Sequence, residues 1–116
     1  MIYNIIYTPR FKKDLKFYRK RYRSTDQDIS EILEELENGN LIGEDYDNLH
    51  LPESESVYKV KIAIKSIPVG ISGGYRLIYY VVKNECEIYL LTLYYKGDRQ
   101  NVSQVEILNL IKQYCI

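Results

Sequence analysis

Four cations in the second half of the chain are spaced so that they could act on one phosphate. Lys59 and Lys61 alternate within VYKVKIAI at residues 57–64, so an extended strand would carry both on one face, about 7 Å apart. Lys65 follows on the same side of that alternation. Arg76 opens the next apolar run, YRLIYYVV, and Lys96 follows the last one, EIYLLTLYY. If the three runs are neighbouring strands, Lys59, Lys61, Arg76 and Lys96 converge on one patch, and Tyr94 and Tyr95 offer planes for base stacking beside it. Like charges in a cluster disfavour one another's protonation, so one amine can act as a general base while the others stabilise charge developing on a phosphate. Such a set could cleave RNA without histidine. A ribose 2′-OH would attack the adjacent phosphate, a lysine would take its proton, and the arginine would hold the non-bridging oxygens. Phosphate binding alone, and an ordinary solvated lysine face, stay open on spacing alone.

Other chemistries find little support. His50 is the single histidine, which excludes a paired-histidine ribonuclease and makes a zinc site improbable on residue supply. The Ser-Gly-Gly at 72–74 fits no phosphate-cradling glycine loop, and there is no nucleophile elbow. No metal or cofactor is expected. Cys86 and Cys115 are too few for a disulfide framework and read as free thiols in a reducing compartment. No apolar run reaches the ~18 residues of a membrane span, and the N-terminus lacks a signal-peptide pattern, so the expectation is a cytoplasmic protein with no membrane partner.

The net charge is zero, but the charges lie in blocks. Residues 1–23 carry a net +7, residues 24–56 a net −11 with no Lys or Arg, residues 57–83 a net +5, and residues 84–116 a net −1. Local potential at a patch, not the sum, decides what binds there. Mutual neutralisation within the fold is the plainer account of the blocks.

The elements that must position the cations follow from periodicity. Ile2–Tyr7 is β-branched and aromatic and predicts a strand. Thr8-Pro9 then starts a helix whose Phe11, Leu15, Tyr18 and Tyr22 share one face. A second, acidic helix begins near Ser24–Asp26 with Ile29, Ile32, Leu33 and Leu36 as its stripe, and stops at Asn38-Gly39. Residues 40–56 read as an irregular connection. Residues 57–64, 75–82 and 87–95 predict three strands, the last two joined by a hairpin through Asn84-Glu85. Ser103 and Glu106 form a capping box, with Val102 and Ile107 as its staple, before a final helix. The order β-α-α-β-β-β-α predicts one α+β domain over residues 1–116: a mostly antiparallel four-stranded sheet with an N-terminal helical hairpin and a C-terminal helix.

The ordered set VYKVKI, SGGYRLIYYVV and IYLLTLYYKGD, preceded by the basic helix FKKDLKFYRKRY, resembles the RelE/HigB group of bacterial toxins. These are the toxin halves of type II toxin–antitoxin pairs in the RelE/ParE superfamily. The loop KSIPVGISGGYR is most similar to the HigB branch. The resemblance implies a ribosome-dependent, metal-independent mRNA endonuclease that inhibits translation. It also implies a cognate antitoxin, of helix-turn-helix type in that branch, in a toxin–antitoxin hetero-oligomer, with the ribosome and mRNA as further partners. By position, Lys59, Lys61, Arg76 and Lys96 match the family's functional cations. The family's further Arg and late Tyr fall at Gly97 and near Ser103, so neither is supplied; Arg99, Tyr94 and Tyr95 are the substitutes at hand, and Lys65 completes the RNA-binding set. A ParE-like inhibitor of DNA gyrase, and a non-enzymatic partner that only sequesters its antitoxin, are the competing functions.

Overall fold

The computed structural model describes residues 2–46, 48–68 and 70–116. Strand β1 (Asn4–Tyr7) leads into α1 (Pro9–Arg21). Thr8 caps α1: its oxygen accepts from the Phe11 N–H, its hydroxyl donates to the Leu90 carbonyl, and Pro9 takes a first-turn position where no N–H is needed. After α2 (Thr25–Glu37) come β2 (Glu44–Asp45), β3 (Glu55–Ile62), β4 (Tyr75–Val82), β5 (Glu87–Tyr95) and α3 (Gln104–Tyr114). The strands form one sheet in the order β1-β5-β4-β3-β2, with β1 parallel to β5 and every other pairing antiparallel.

The α+β class and the mostly antiparallel sheet agree with expectation, but the sheet has five strands, not four. The addition is β2, inside the stretch read as irregular. Two residues are too few for alternation to register, and β2 exists only through its pairing of Glu44 with Lys59 and Asp45 with Tyr58. Gly43 makes the approach possible. Its φ is +112°, and a Cβ there would sit 2.5 Å from the Lys59 carbonyl oxygen. The β4–β5 connection is a turn of 3₁₀ helix at Lys83–Glu85, closed by Cys86 in the left-handed region.

Each face of the sheet has its own core. Phe11, Leu15 and Tyr18 of α1 and Ile29 and Leu36 of α2 pack on Val60, Ile62, Leu77, Leu90 and Leu93. Ile107, Leu110 and Ile111 of α3 pack on Val57, Ile78, Tyr80 and Leu91 on the opposite face. A bulge in β5 keeps both halves of that strand correctly oriented: Ile78 pairs with Thr92 and Tyr79 with Leu90, so Leu91 is the extra residue. The Asp14 carboxylate of α1 closes the bulge by accepting from Thr92 Oγ1 (2.6 Å) and from the Leu93 N–H (3.0 Å). Ser103 caps α3 through the Glu106 N–H, and Val102 and Ile107 are buried in one cluster as the staple requires. Among the described residues no helix is long and apolar enough to cross a membrane.

Candidate active site

Strand register puts Lys61, Arg76 and Tyr94 in one row across β3, β4 and β5. Lys59 lies two residues along the same face. This is the α3 side of the sheet, at the end that α3 leaves partly open. Lys61 is exposed and Lys59 half-buried, with Lys59 Nζ 5.8 Å from the Tyr46 ring centre. Neither amine forms an ion pair among the described residues.

Arg76 is 3% exposed. Its guanidinium donates to the carbonyls of Ile71 (3.3 Å), Tyr75 (3.1 Å) and Ser72 (2.9 Å), which ties the 71–74 loop to the start of β4. A buried cation held by neutral carbonyls, with no carboxylate partner among the described residues, projects positive potential at the patch. Gly74 fits the same close packing, since a Cβ there would lie 2.0 Å from the Ile62 carbonyl oxygen.

Tyr94 is 5% exposed, and its hydroxyl is the one buried side-chain polar atom without a hydrogen-bond partner among the described residues. Burial raises its pKa, while Arg76 and then Arg99 oppose that rise. Arg99 is bound in two places: Nε donates to the Asn101 carbonyl, and Nη1 and Nη2 grip the Glu106 carboxylate. Glu106 therefore serves Arg99 with its side chain, and only the Ser103 half of the capping box is made.

Lys96 is exposed in the turn after β5, at the Arg76 end of the sheet, where its N–H donates to the Gly74 carbonyl. Asp98 secures that turn by accepting from Tyr18 Oη (3.0 Å) and Arg21 Nη1 (2.6 Å) of α1. Tyr18 in turn accepts from the Tyr95 N–H (2.9 Å). Burial, opposed by that N–H and reinforced by Asp98, pushes the Tyr18 pKa up to about 12.

Two predicted site residues lie elsewhere. Lys65 is beyond the end of β3 at Ile62, so the strand's alternation no longer sets its direction. It pairs with Glu31 of α2 on the helical-hairpin side, and its N–H donates to Asp28. Tyr95, adjacent to Tyr94 in an extended strand, faces the other way. It packs against Tyr22, and Arg21 lies 5.2 Å from both ring centres. The same ring explains Gly97, because a Cβ there would meet Tyr95 at 2.3 Å. A longer side chain at 97 and Tyr95 in this position exclude each other.

Sequence reasoning missed Tyr46, whose pKa burial pushes up to about 12, with nearby Tyr94 adding to the rise. Only the β2–β3 register brings Tyr46 to Lys59, through its N–H bond to the Val57 carbonyl (2.8 Å). Asp98 and the pairing of Glu106 with Arg99 were also missed, since both depend on partners distant in the fold or across a loop.

A helical hairpin on one face of a five-stranded, mostly antiparallel sheet, with a C-terminal helix on the other, is consistent with the RelE/ParE-type fold. A family model described as the ParE toxin of the type II toxin–antitoxin system, parDE, matches residues 5–98, which run from β1 through the turn after β5. The chain belongs to that family. It is the toxin class of a type II pair, and an antitoxin is its implied partner. A comparison with curated proteins finds no match.

Proposed function

We propose that this toxin is an endoribonuclease that cuts mRNA on the ribosome, with the α3 side of the sheet as its RNA-binding and catalytic face. The row Lys61–Arg76–Tyr94, with Lys59 beside it, supports this reading: three basic residues and a phenol share one face, Lys61 exposed and Lys59 half-buried, with no ion pair to any of the three basic side chains among the described residues. The 2′-OH would attack the neighbouring phosphorus as one of Lys61 and Lys59, in its neutral amine form, takes its proton while the other stays charged. The O2′–P bond forms, the P–O5′ bond breaks, a proton passes from the new ammonium or from water to O5′, and the products are a 2′,3′-cyclic phosphate and a 5′-hydroxyl end. The field of Arg76 and the exposed Lys96 would stabilise the dianionic transition state. Arg76 would act mainly through its charge and through the loop it holds, because its donors already face carbonyls.

The match to the ParE toxin family favours a second reading, a ParE-like inhibitor of DNA gyrase in which the cationic row is not catalytic. Expression without antitoxin separates them. The ribonuclease reading expects new 5′ ends in mRNA by primer extension, lost in Lys61→Ala. Intact transcripts with blocked supercoiling by purified gyrase would overturn it.

A further inference from the structure

The acidic segment between α2 and β3 holds a feature that the nuclease reading does not use. The strap from Gly43 to Tyr46 crosses the edge of the sheet beside the cations. Glu44 stands directly opposite Lys59 in the pairing, so their side chains share a face. Tyr46 follows two residues later with its ring beside Lys59, packed against the cluster that contains Tyr94. The strap thus places an anionic group opposite Lys59 and an aromatic ring beside it, as an RNA strand would with its phosphates and bases.

In the same apolar cluster as Tyr46, and close enough to act on it electrostatically, lies Tyr94, whose hydroxyl has no hydrogen-bond partner among the described residues. A buried phenol without a partner is unfavourable, and native folds rarely keep one without cause. Arg76 and Arg99 both act on it electrostatically, so the acceptor best suited to it is an anionic oxygen. The strap itself is a two-residue edge strand with one further backbone bond, Tyr46 N–H to the Val57 carbonyl, and is tied at its start by the Tyr79 hydroxyl donating to the Ile42 carbonyl; short edge strands of this kind belong to the low-stability end of a fold.

We propose that the Gly43–Tyr46 strap is a cover over the cationic face, and that lifting it presents the Tyr94 hydroxyl to a phosphate of bound single-stranded RNA. This rests on the ribonuclease reading and adds a closed state to it. Closed, the strap competes with RNA for Lys59. Open, Tyr94 donates to a non-bridging oxygen beside Lys61.

The test is binding of a fluorescently labelled oligouridylate to the full chain, read by anisotropy at fixed ionic strength, with exchange of the Tyr46 N–H reporting the strap. Gly43→Ala drives a Cβ into the Lys59 carbonyl, and should speed that exchange and tighten binding about three- to tenfold. Tyr46→Ala removes the covering ring wherever the strap lies, and should also tighten binding. Tyr94→Phe should weaken binding about tenfold, the scale of one hydrogen bond to a charged group, yet raise the melting temperature because the unpartnered hydroxyl is gone. Weaker binding in Tyr46→Ala would overturn the cover and make Tyr46 an RNA contact. Unchanged binding in Gly43→Ala despite faster exchange, or in Tyr94→Phe, would overturn it equally. Lys59→Ala/Lys61→Ala tests the underlying reading separately: if that variant binds the oligonucleotide as well as wild type, the RNA face itself is wrong, whatever the strap does.

Discussion

The two faces of the sheet solve opposite problems with similar residues. On the helical-hairpin face, buried polar groups are matched: Thr8 to Leu90, Asp14 to the β5 bulge, Asp28 to Ser24 and Lys65, Thr25 to Tyr75. Some cations there are paired with carboxylates, Arg21 with Asp98 and Lys65 with Glu31. On the α3 face, among the described residues, Lys59 and Lys61 form no ion pair, although Glu44 stands opposite Lys59; Arg76 rests on carbonyls, and the Tyr94 hydroxyl has no hydrogen-bond partner. One face has its buried polar groups matched by the fold. The other keeps interactions unmade, which is where a chain departs from local consistency when it must bind something.

The largest expected effect tests that contrast directly. Lys61→Ala should lower RNA cleavage by about 10²-fold or more, the range of a lost proton-transfer group, with little change in melting temperature because Lys61 is exposed. Arg76→Ala should lose activity and stability together, since it also frees the 71–74 loop. Equal melting temperatures for the two variants would break the assignment of a structural duty to Arg76. Asp14→Ala is the counterpart on the hairpin face. It strands the buried Thr92 hydroxyl and the Leu93 N–H, costing roughly 3 kcal/mol. In a domain of this size that is about 10–20 °C in melting temperature. Calorimetry on the purified variant checks it, and a loss under a few degrees would mean that the bulge stands without its acceptor.

Alkaline titration samples both faces at once. Burial first of all pushes Tyr18 and Tyr75 on the hairpin face, and Tyr46 and Tyr89 on or beside the α3 face, from 10.0 up to about 12. Each phenol holds its proton more tightly folded than unfolded. Between about pH 10 and 12 the folded chain therefore binds more protons, and stability falls as pH rises. The contribution is complete below about pH 10. Circular dichroism with phenolate absorbance should show unfolding and tyrosine ionisation rising together across that window. Early ionisation without unfolding would identify phenols that are open to solvent.

Much of this architecture was legible because its signals are local. Thr8-Pro9 and Ser103 announce helix starts, and the alternation around Lys59 and Lys61 gives the face of β3 without any partner. Where tertiary contacts decide, the signal fails. The bulge at Leu91 needs Asp14, β2 needs Gly43 against Lys59, and Tyr46 reaches Lys59 only through that register. The opposite placement of Tyr94 and Tyr95 was available from adjacency alone. What no local pattern could give is the burial of Arg76, because its partners are carbonyls of a loop with no period.

Lys65 supplies the smallest effect and the sharpest use of the comparison. It is a lysine four residues from Lys61 in a similar setting of β-branched residues, and alternation read from sequence puts both on one face. The chain leaves the sheet after Ile62, and Lys65 turns to Glu31 on α2, with the two side chains 44% and 58% exposed. A pair so exposed is worth about 0–1 kcal/mol. Lys65→Ala should therefore change the melting temperature by no more than a few degrees and leave RNA cleavage within about twofold of wild type. The measurement is the same cleavage assay used for Lys61→Ala, run in parallel at two salt concentrations. If Lys65→Ala lost as much activity as Lys61→Ala, RNA would have to reach around the sheet edge to the hairpin side. The division between a completed face and an open one would then fail at its boundary.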